Sequence, residues 1–304
     1  MSREHQPVLL EEAIAALTVS ADGVYVDGTF GRGGHSSSIL KALSPQGSLI
    51  GLDQDPAAAE AAKTLSEQDA RFQFHAANFC SLATWVAPGS LQGVLLDLGV
   101  SSPQLDDPSR GFSFSHDGPL DMRMNPDKGQ SAAQWLSQAG ESEIATVLKE
   151  LGEERFARRI ASAIVAARTG APIERTGQLA ELVAAANPRW EQHKHPATRS
   201  FQAIRLHVNG ELDALREVLA AIVVALAPGG RMVLISFHSL EDRIVKRFIR
   251  DQTRGERLPP GVPVQYESRS GALRQIGKAV SPTDAEISRN PRARSAIMRI
   301  AERV

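Results

Sequence analysis

The sequence predicts an α/β protein, a doubly wound and mainly parallel sheet with an inserted helical domain. Three observations carry that prediction. Short apolar runs alternate with helix-period segments over the first hundred residues, the pattern of βαβ units. Four glycines (Gly28, Gly31, Gly33, Gly34) crowd the turn after the first run. Strand character then vanishes after about residue 109 and returns only at Gly230.

Taken in order, Leu9, Leu10, Ala13, Ile14 and Leu17 have helical spacing, which places an amphipathic helix over Val8 to Leu17. Val24 to Asp27 reads as the first strand, and Ser36 to Leu43 as the helix after the glycine turn. Ser48 to Asp53 is a second strand, and Pro56 opens an Ala-rich helix to about Glu67. Arg71 to His75 alternates as a third strand. Gly93 to Gly99 is apolar without alternation, as expected of a parallel strand buried on both faces.

Ser101 to Gly129 is rich in Pro, Gly, Asp and Ser and reads as a long loop. Helix signals follow at Ser131, Ser142, Glu153 to Arg168 and Thr176. A helix over Glu211 to Leu226 leads to a fifth strand, Gly230 to Ser236, and Arg294 to Val304 alternates enough to close the sheet, in an antiparallel sense. The domain reading is therefore a discontinuous core, 1–108 with 210–304, and a helical insert, 109–209.

The chain of 304 residues is 42% hydrophobic, enough for a substantial core. No apolar run is long enough to cross a bilayer, the first seven residues lack a signal-peptide core, and the single cysteine, Cys80, fits a reducing cytoplasm. The net charge of −1 hides an asymmetry. Residues 1–110 hold 6 Lys/Arg against 13 Asp/Glu, whereas residues 231–304 hold 15 against 8. A basic end beside an acidic half suits a polyanionic partner.

In a doubly wound sheet, ligands bind outside the carboxyl ends of the strands, and Asp27, Asp53, Phe79 and Asp97 all fall at or just past such ends. Bare glycines admit a ligand to the backbone, a helix N-terminus favours anions, and an acid some twenty residues on can take ribose hydroxyls. The first third thus predicts a nucleoside-cofactor site. The glycine spacing is not the strict dinucleotide fingerprint, since Ser36 stands at the third glycine position, and no GxxxxGK[ST] string occurs. His193, His195 and His207 lack the partners and spacing of a metal site.

Longer blocks are more specific. The chain resembles the bacterial 16S ribosomal RNA cytosine-N4 methyltransferase family in Asp27-Gly28-Thr29-Phe30-Gly31-Arg32-Gly33-Gly34-His35, Leu95 to Asp106, Arg110-Gly111-Phe112-Ser113-Phe114, Gly118 to Met124, Gly152-Glu153-Glu154-Arg155, His195 to Arg199, Ser236 to Arg243 and Asn290 to Ser295. The resemblance implies a class I S-adenosylmethionine-dependent methyltransferase core and methylation at N4 of cytosine 1402 in the small ribosomal subunit. It also implies cofactor contacts from Gly33, Gly34, His35, Asp53, Phe79, Asp97 and Gln104.

A sulfonium methyl needs in-line attack by an amine whose lone pair is delocalised into the ring, so the catalyst must orient that amine and accept hydrogen bonds from it. The place where many amino-methyltransferases carry a polar-Pro-Pro-aromatic motif holds Ser101-Ser102-Pro103-Gln104. Ser101 and Ser102 are the candidate acceptors, and Phe112, Phe114 or Phe237 the candidates to stack an extruded base; no general base is assigned. Cys80 lies outside any Pro-Cys motif, which favours a nitrogen target over ring carbon. Arg199, Arg205, Arg243, Lys246, Arg292 and Arg294 are the candidate phosphate contacts. A small-molecule methyltransferase and a non-catalytic nucleoside-binding ribosome assembly factor are the alternatives; the oligomeric state is open, a homodimer included.

Overall fold

The computed structural model describes residues 7–17, 19–189, 195–254 and 271–304; His193 lies outside them. The chain divides into two compact units, Met1–Gly99 with Leu212–Val304, and Val100–Glu211.

The first unit opens with α1 (Leu10–Leu17), β1 (Val24–Asp27), α2 (Gly34–Ala42), β2 (Ser48–Asp53), α3 (Pro56–Gln68) and β3 (Phe72–Ala76). A 3-10 turn at Phe79–Ser81 leads into α4 (Leu82–Trp85) and β4 (Leu91–Asp97). The second unit holds α5 (Ser102–Asp106), α6 (Ala132–Gln138), α7 (Glu141–Gly152), α8 (Ala157–Gly170), α9 (Thr176–Ala186) and α10 (Thr198–Asn209). The chain then continues through α11 (Glu211–Ala225), β5 (Leu226–Ser236), α12 (Ser239–Arg254), β6 (Leu273–Gln275), α13 (Asp284–Arg289) and β7 (Ile297–Arg303).

The sheet runs β3-β2-β1-β4-β5-β7-β6. Pairs from β3 through β5 are parallel, and β7 is antiparallel to both β5 and β6. Strand order reverses direction between β1 and β4, the switch point at which such sheets open a crevice. Alternation along the strands builds both layers. Tyr25, Leu49, Leu95, Val233 and Ile235 pack with α1, α2 and α3 on one face, while Val26, Leu52, Val94, Leu96, Met232 and Leu234 pack with α11 and α12 on the other. Each fully buried Leu, Ile or Val contributes about 1.5–3 kcal/mol, and covering both faces is what a parallel sheet requires.

In the helical unit one apolar core gathers Phe112, Trp135, Ile144, Leu148, Ile160, Leu179, Phe201 and Ile204. Sequence signals set its helix starts. Ser131 and Gln134 close a reciprocal cap on α6, with Ser131 Oγ accepting the Gln134 amide at 3.2 Å and Gln134 Oε1 accepting the Ser131 amide at 2.8 Å. Other boundaries differ from the sequence reading. Gly140, not Ser142, precedes α7, and Glu153 terminates it in a left-handed conformation, so α8 begins at Ala157.

The stretch from Ser101 is not all loop. It forms α5 and a 3-10 turn at Pro108–Arg110, and Val100 and Leu105 pack on the helical core. This is why the second unit begins at Val100 and not at 109. The three-residue β6 carries too little pattern to be predicted and exists through its pairing with β7.

Candidate active site

The carboxyl ends of β1, β2 and β4 converge with the tip of β5, and acids occupy this edge. Asp27 is buried at the end of β1; its Oδ2 accepts the Ser36 hydroxyl at 2.7 Å and its Oδ1 the Thr29 amide at 3.2 Å. It therefore ties the strand to the start of α2 across the glycine turn. Burial pushes its carboxyl above the usual carboxylate range, against those hydrogen bonds. Thr29 Oγ1 accepts the Asp97 amide at 2.6 Å, which fastens the same turn to β4.

Gly33 supplies the left-handed bend before α2, with φ of 77°, a conformation only glycine adopts cheaply. A Cβ there would sit 2.8 Å from the Phe30 ring. At Gly34 a Cβ would meet Pro7 Cγ at 2.3 Å. The bare backbone of Gly34 thus serves a contact within the protein, a role that glycine spacing alone does not reveal.

Asp53 ends β2 with both oxygens engaged, Oδ2 accepting the Gly31 amide at 2.8 Å and Oδ1 the Asp55 amide at 2.9 Å. Burial raises its pKa to about 6, opposed by those amides and reinforced by Asp55 and Asp27. The glycine turn therefore holds this carboxylate in place, with lone pairs left to accept from a diol.

Asp97, at the end of β4, is the most perturbed acid of the edge. Burial, then Asp27 and Glu241, raise its carboxyl well above the ordinary range. Its Oδ1 is buried and has no hydrogen-bond partner among the described residues, although the side chain as a whole keeps 24% exposure. His35 Nδ1 stands 4.0 Å from Asp97 Oδ2, beyond hydrogen-bond reach, while His35 Nε2 lies 3.1 Å from the Val8 carbonyl.

The tip of β5 adds residues that the sequence reading did not single out. Glu241 Oε2 accepts the amides of Phe237 and His238 at 2.9 and 3.3 Å, and His238 Nδ1 accepts the Glu241 amide at 3.4 Å. This is a capping box with histidine in the cap position. The one signal in the sequence was an acid in the first turn of the helix after an apolar strand end, which any helix start can show. His238 Nε2 lies 3.1 Å from Glu241 Oε1 but without hydrogen-bond alignment, and it too is a buried polar atom without such a partner. The described residues hold four such atoms, and three of them, on Asp97, Ser236 and His238, lie at the ends of β4 and β5.

Phe79 follows β3, half-buried against the α11 face of the sheet, and Phe237 is half-buried against the opposite face. Beside Phe79, burial and then Glu217 push the Cys80 thiol up, away from the thiolate that ring-carbon methylation would need. Several other expectations fare differently. Gln104 is buried and its Oε1 accepts the Ser101 amide at 2.8 Å, so that oxygen caps α5. Phe112 is core, which corrects its reading as a base-stacking surface, and Phe114, half-buried, packs on Phe201 and His195. Arg205 forms a two-point ion pair with Glu211 at 2.8 and 3.0 Å, and only 14% and 9% of the two side chains are exposed. Its guanidinium is occupied within the helical unit. Arg199 Nη1 donates to the Glu153 carbonyl at 2.9 Å. Arg243, Lys246, Arg292 and Arg294 are exposed.

An edge of clustered acids, one with an unpartnered buried oxygen, beside a glycine turn and a diol-accepting carboxylate, suits a nucleoside ligand that carries positive charge. Together with the 3-2-1-4-5-7-6 sheet, it defines the class as an S-adenosylmethionine-dependent methyltransferase of the class I fold. The sequence model of the MraW methylase family matches residues 2–304, and the chain belongs to that family.

Curated relatives are similar over nearly the whole length. The Ribosomal RNA small subunit methyltransferase H of Thioalkalivibrio sulfidiphilus is 61% identical over 99% of this chain and 97% of its own. The proteins of that name from Pseudoalteromonas atlantica and Nitrosococcus oceani are 56% identical over 99% and 98%, and 57% identical over 98% and 96%, of this chain and of their own. Among solved structures, an rRNA methylase from Streptococcus thermophilus superposes with a TM-score of 0.43 at 9% identity over 100% of this chain and 99% of that one, a likeness too slight to carry weight.

Proposed function

We propose that the protein methylates N4 of cytosine 1402 in the 16S rRNA of the small ribosomal subunit, with S-adenosylmethionine as donor. The observation that carries the rRNA reading is the 56–61% identity, over nearly full length, to relatives named as small-subunit rRNA methyltransferases. The choice of a ring-amine target is supported by the raised Cys80 thiol and the absence of any second cysteine.

The donor, when bound, supplies an electrophilic methyl group on a sulfonium. Asp53 accepts the ribose hydroxyls, and Phe79 packs on the adenine. Asp97 faces the cationic methionine end, where a positive charge relieves its repulsion with Asp27 and Glu241. Gly33, Gly34 and His35 line the turn and the start of α2, where backbone N–H groups favour the carboxylate. Ser101 and Ser102 are the candidate acceptors for the cytosine amine, and Phe237 its stacking partner. Arg243, Lys246, Arg292 and Arg294 contact phosphates.

The test is nucleoside analysis of small-subunit rRNA incubated with labelled donor and this protein. Label in N4-methylcytidine at position 1402 is expected. Label in another nucleoside, or transfer that survives RNase digestion of the substrate, would replace the proposal with one of its rivals.

A further inference from the structure

The outer face of α12 carries charge that no fold requirement explains. Arg243, Lys246, Arg247, Arg250 and Arg254 are all exposed, and at 3.6 residues per turn they fall within an arc of about 100°. The opposite side of the helix buries Glu241, Val245 and Ile249. The stripe runs the length of the helix, although cations near a helix N-terminus oppose its dipole. Its members also stand at i,i+3 and i,i+4 from one another, where like charges repel by about 0.2–0.5 kcal/mol per pair.

Among the described residues, three of the five cations stand without a compensating acid. Arg250 pairs with Asp251 at 2.9 Å, with both side chains about half exposed or more. Lys246, Arg247 and Arg254 have no ion-pair or hydrogen-bond partner among the described residues. The nearby acid Asp242 is neutralised by Arg299 of β7 at 2.6 and 3.0 Å, so it adds no net negative charge beside the arc. Along the flank nearest β6, an open groove is lined by Lys246 and Lys278 above a floor of Ile249, Ile276 and Ile300.

We infer that this face of α12, with the Lys246–Lys278 groove at its side, is a phosphodiester track that holds rRNA backbone on the core unit. Its helix starts at the cap of His238 and Glu241, so the track begins at the tip of β5 and leads away from the acid edge. The chemistry that fits is a run of phosphates: five exposed cations lie on one face of the helix, spaced along its length. The inference rests on the rRNA reading above and adds the surface that receives the substrate.

The experiment measures binding of unmethylated small-subunit rRNA, as a function of salt, to the full-length protein and to the triple variant Lys246→Ala, Arg247→Ala, Arg254→Ala. A double variant on the other face of the sheet, Lys41→Ala with Lys63→Ala, serves as the charge control, since both lysines are exposed there. Removing one cation that neutralises a phosphate lowers the slope of log affinity against log salt by about 0.7–0.9. The triple variant is expected to lose about 2 in slope and at least tenfold in affinity, with donor affinity and thermal midpoint near those of the parent and the control unchanged. Equal losses in both variants would overturn the track in favour of diffuse attraction, and an unchanged triple variant would overturn it outright while leaving the methylation reading intact. A parent that neither binds nor methylates rRNA would overturn both.

Discussion

Asp97 faces His35 across 4.0 Å, and neither gives the other a hydrogen bond. The carboxyl is left with a buried oxygen that no described residue partners, in the company of two further acids. The arrangement is costly to the free protein and favourable to a bound cation.

Replacing Asp97 with Asn tests that trade. Because burial and like charge raise the folded-state pKa, the stability tied to the protonated carboxyl is complete below the unfolded value and is lost as pH rises through the folded one. Asp97→Asn should therefore stabilise the free protein at pH 8 by about 1–3 kcal/mol, the scale of a buried polar group without a partner, and raise its thermal midpoint. The gain should shrink as pH falls, and methyl transfer should be lost at every pH. Differential scanning calorimetry from pH 5 to 8 reads the first part, and a gain that grows at low pH would contradict it.

Asp53 predicts a pH dependence of donor binding. With its pKa raised to about 6, the free protein carries the ionised, hydroxyl-accepting form above that value and loses it below. Calorimetric affinity for S-adenosylmethionine should be flat from pH 8 to 7 and fall toward tenfold per unit below about 6. Asp53→Ala should weaken donor binding about a hundredfold or more, the loss of two hydrogen bonds to a charged group, while rRNA affinity moves little. Equal loss of both would contradict the role.

Gly33→Ala should destabilise the core by about 1–3 kcal/mol in urea unfolding. The left-handed φ of 77° costs a residue with a Cβ about 1–2 kcal/mol, and the Phe30 ring 2.8 Å away must shift. A neutral substitution would mean that the turn relaxes freely.

Arg205→Ala separates a structural arginine from a phosphate contact. It breaks the two-point ion pair to Glu211, which is 9% exposed, and breaking such a pair typically costs about 3–5 kcal/mol. Adding Glu211→Gln should recover much of that loss. Affinity for rRNA, per folded molecule, should stay within twofold; a tenfold fall in the folded variant would return Arg205 to the RNA surface.

The sheet was legible because its strands are short apolar runs separated by helix-period segments, and because the antiparallel last strand alternates. Three-residue β6 was not, since its place is set by hydrogen bonds to β7 and not by local pattern. At the site, Asp53 and Asp97 could be found from their positions at strand ends. The His238–Glu241 cap could not be told from an ordinary helix start until β5 was seen to end beside Asp97. Arg205 illustrates the opposite limit: its partner Glu211 lies six residues away, and nothing in the composition distinguishes a cation held inside from one offered to a ligand. Phe112 failed as a stacking candidate for a similar reason, because an aromatic in a Gly-rich and Pro-rich stretch looks exposed until the helices that bury it are in place.

β4 and β5 are hydrogen-bonded neighbours, yet Asp97 pairs with Ile235, 138 residues further along the chain. Most of that interval folds as a unit with its own core. Were it a random coil, joining the strands would carry the full entropy of closing a long loop; a pre-folded interval shortens the effective loop, at about 0.6 kcal/mol for each halving. The order of events then matters to rate as much as the interactions do to equilibrium. A lesion deep in the helical core should slow assembly of the central strands, and stopped-flow refolding of such a variant would show the delay.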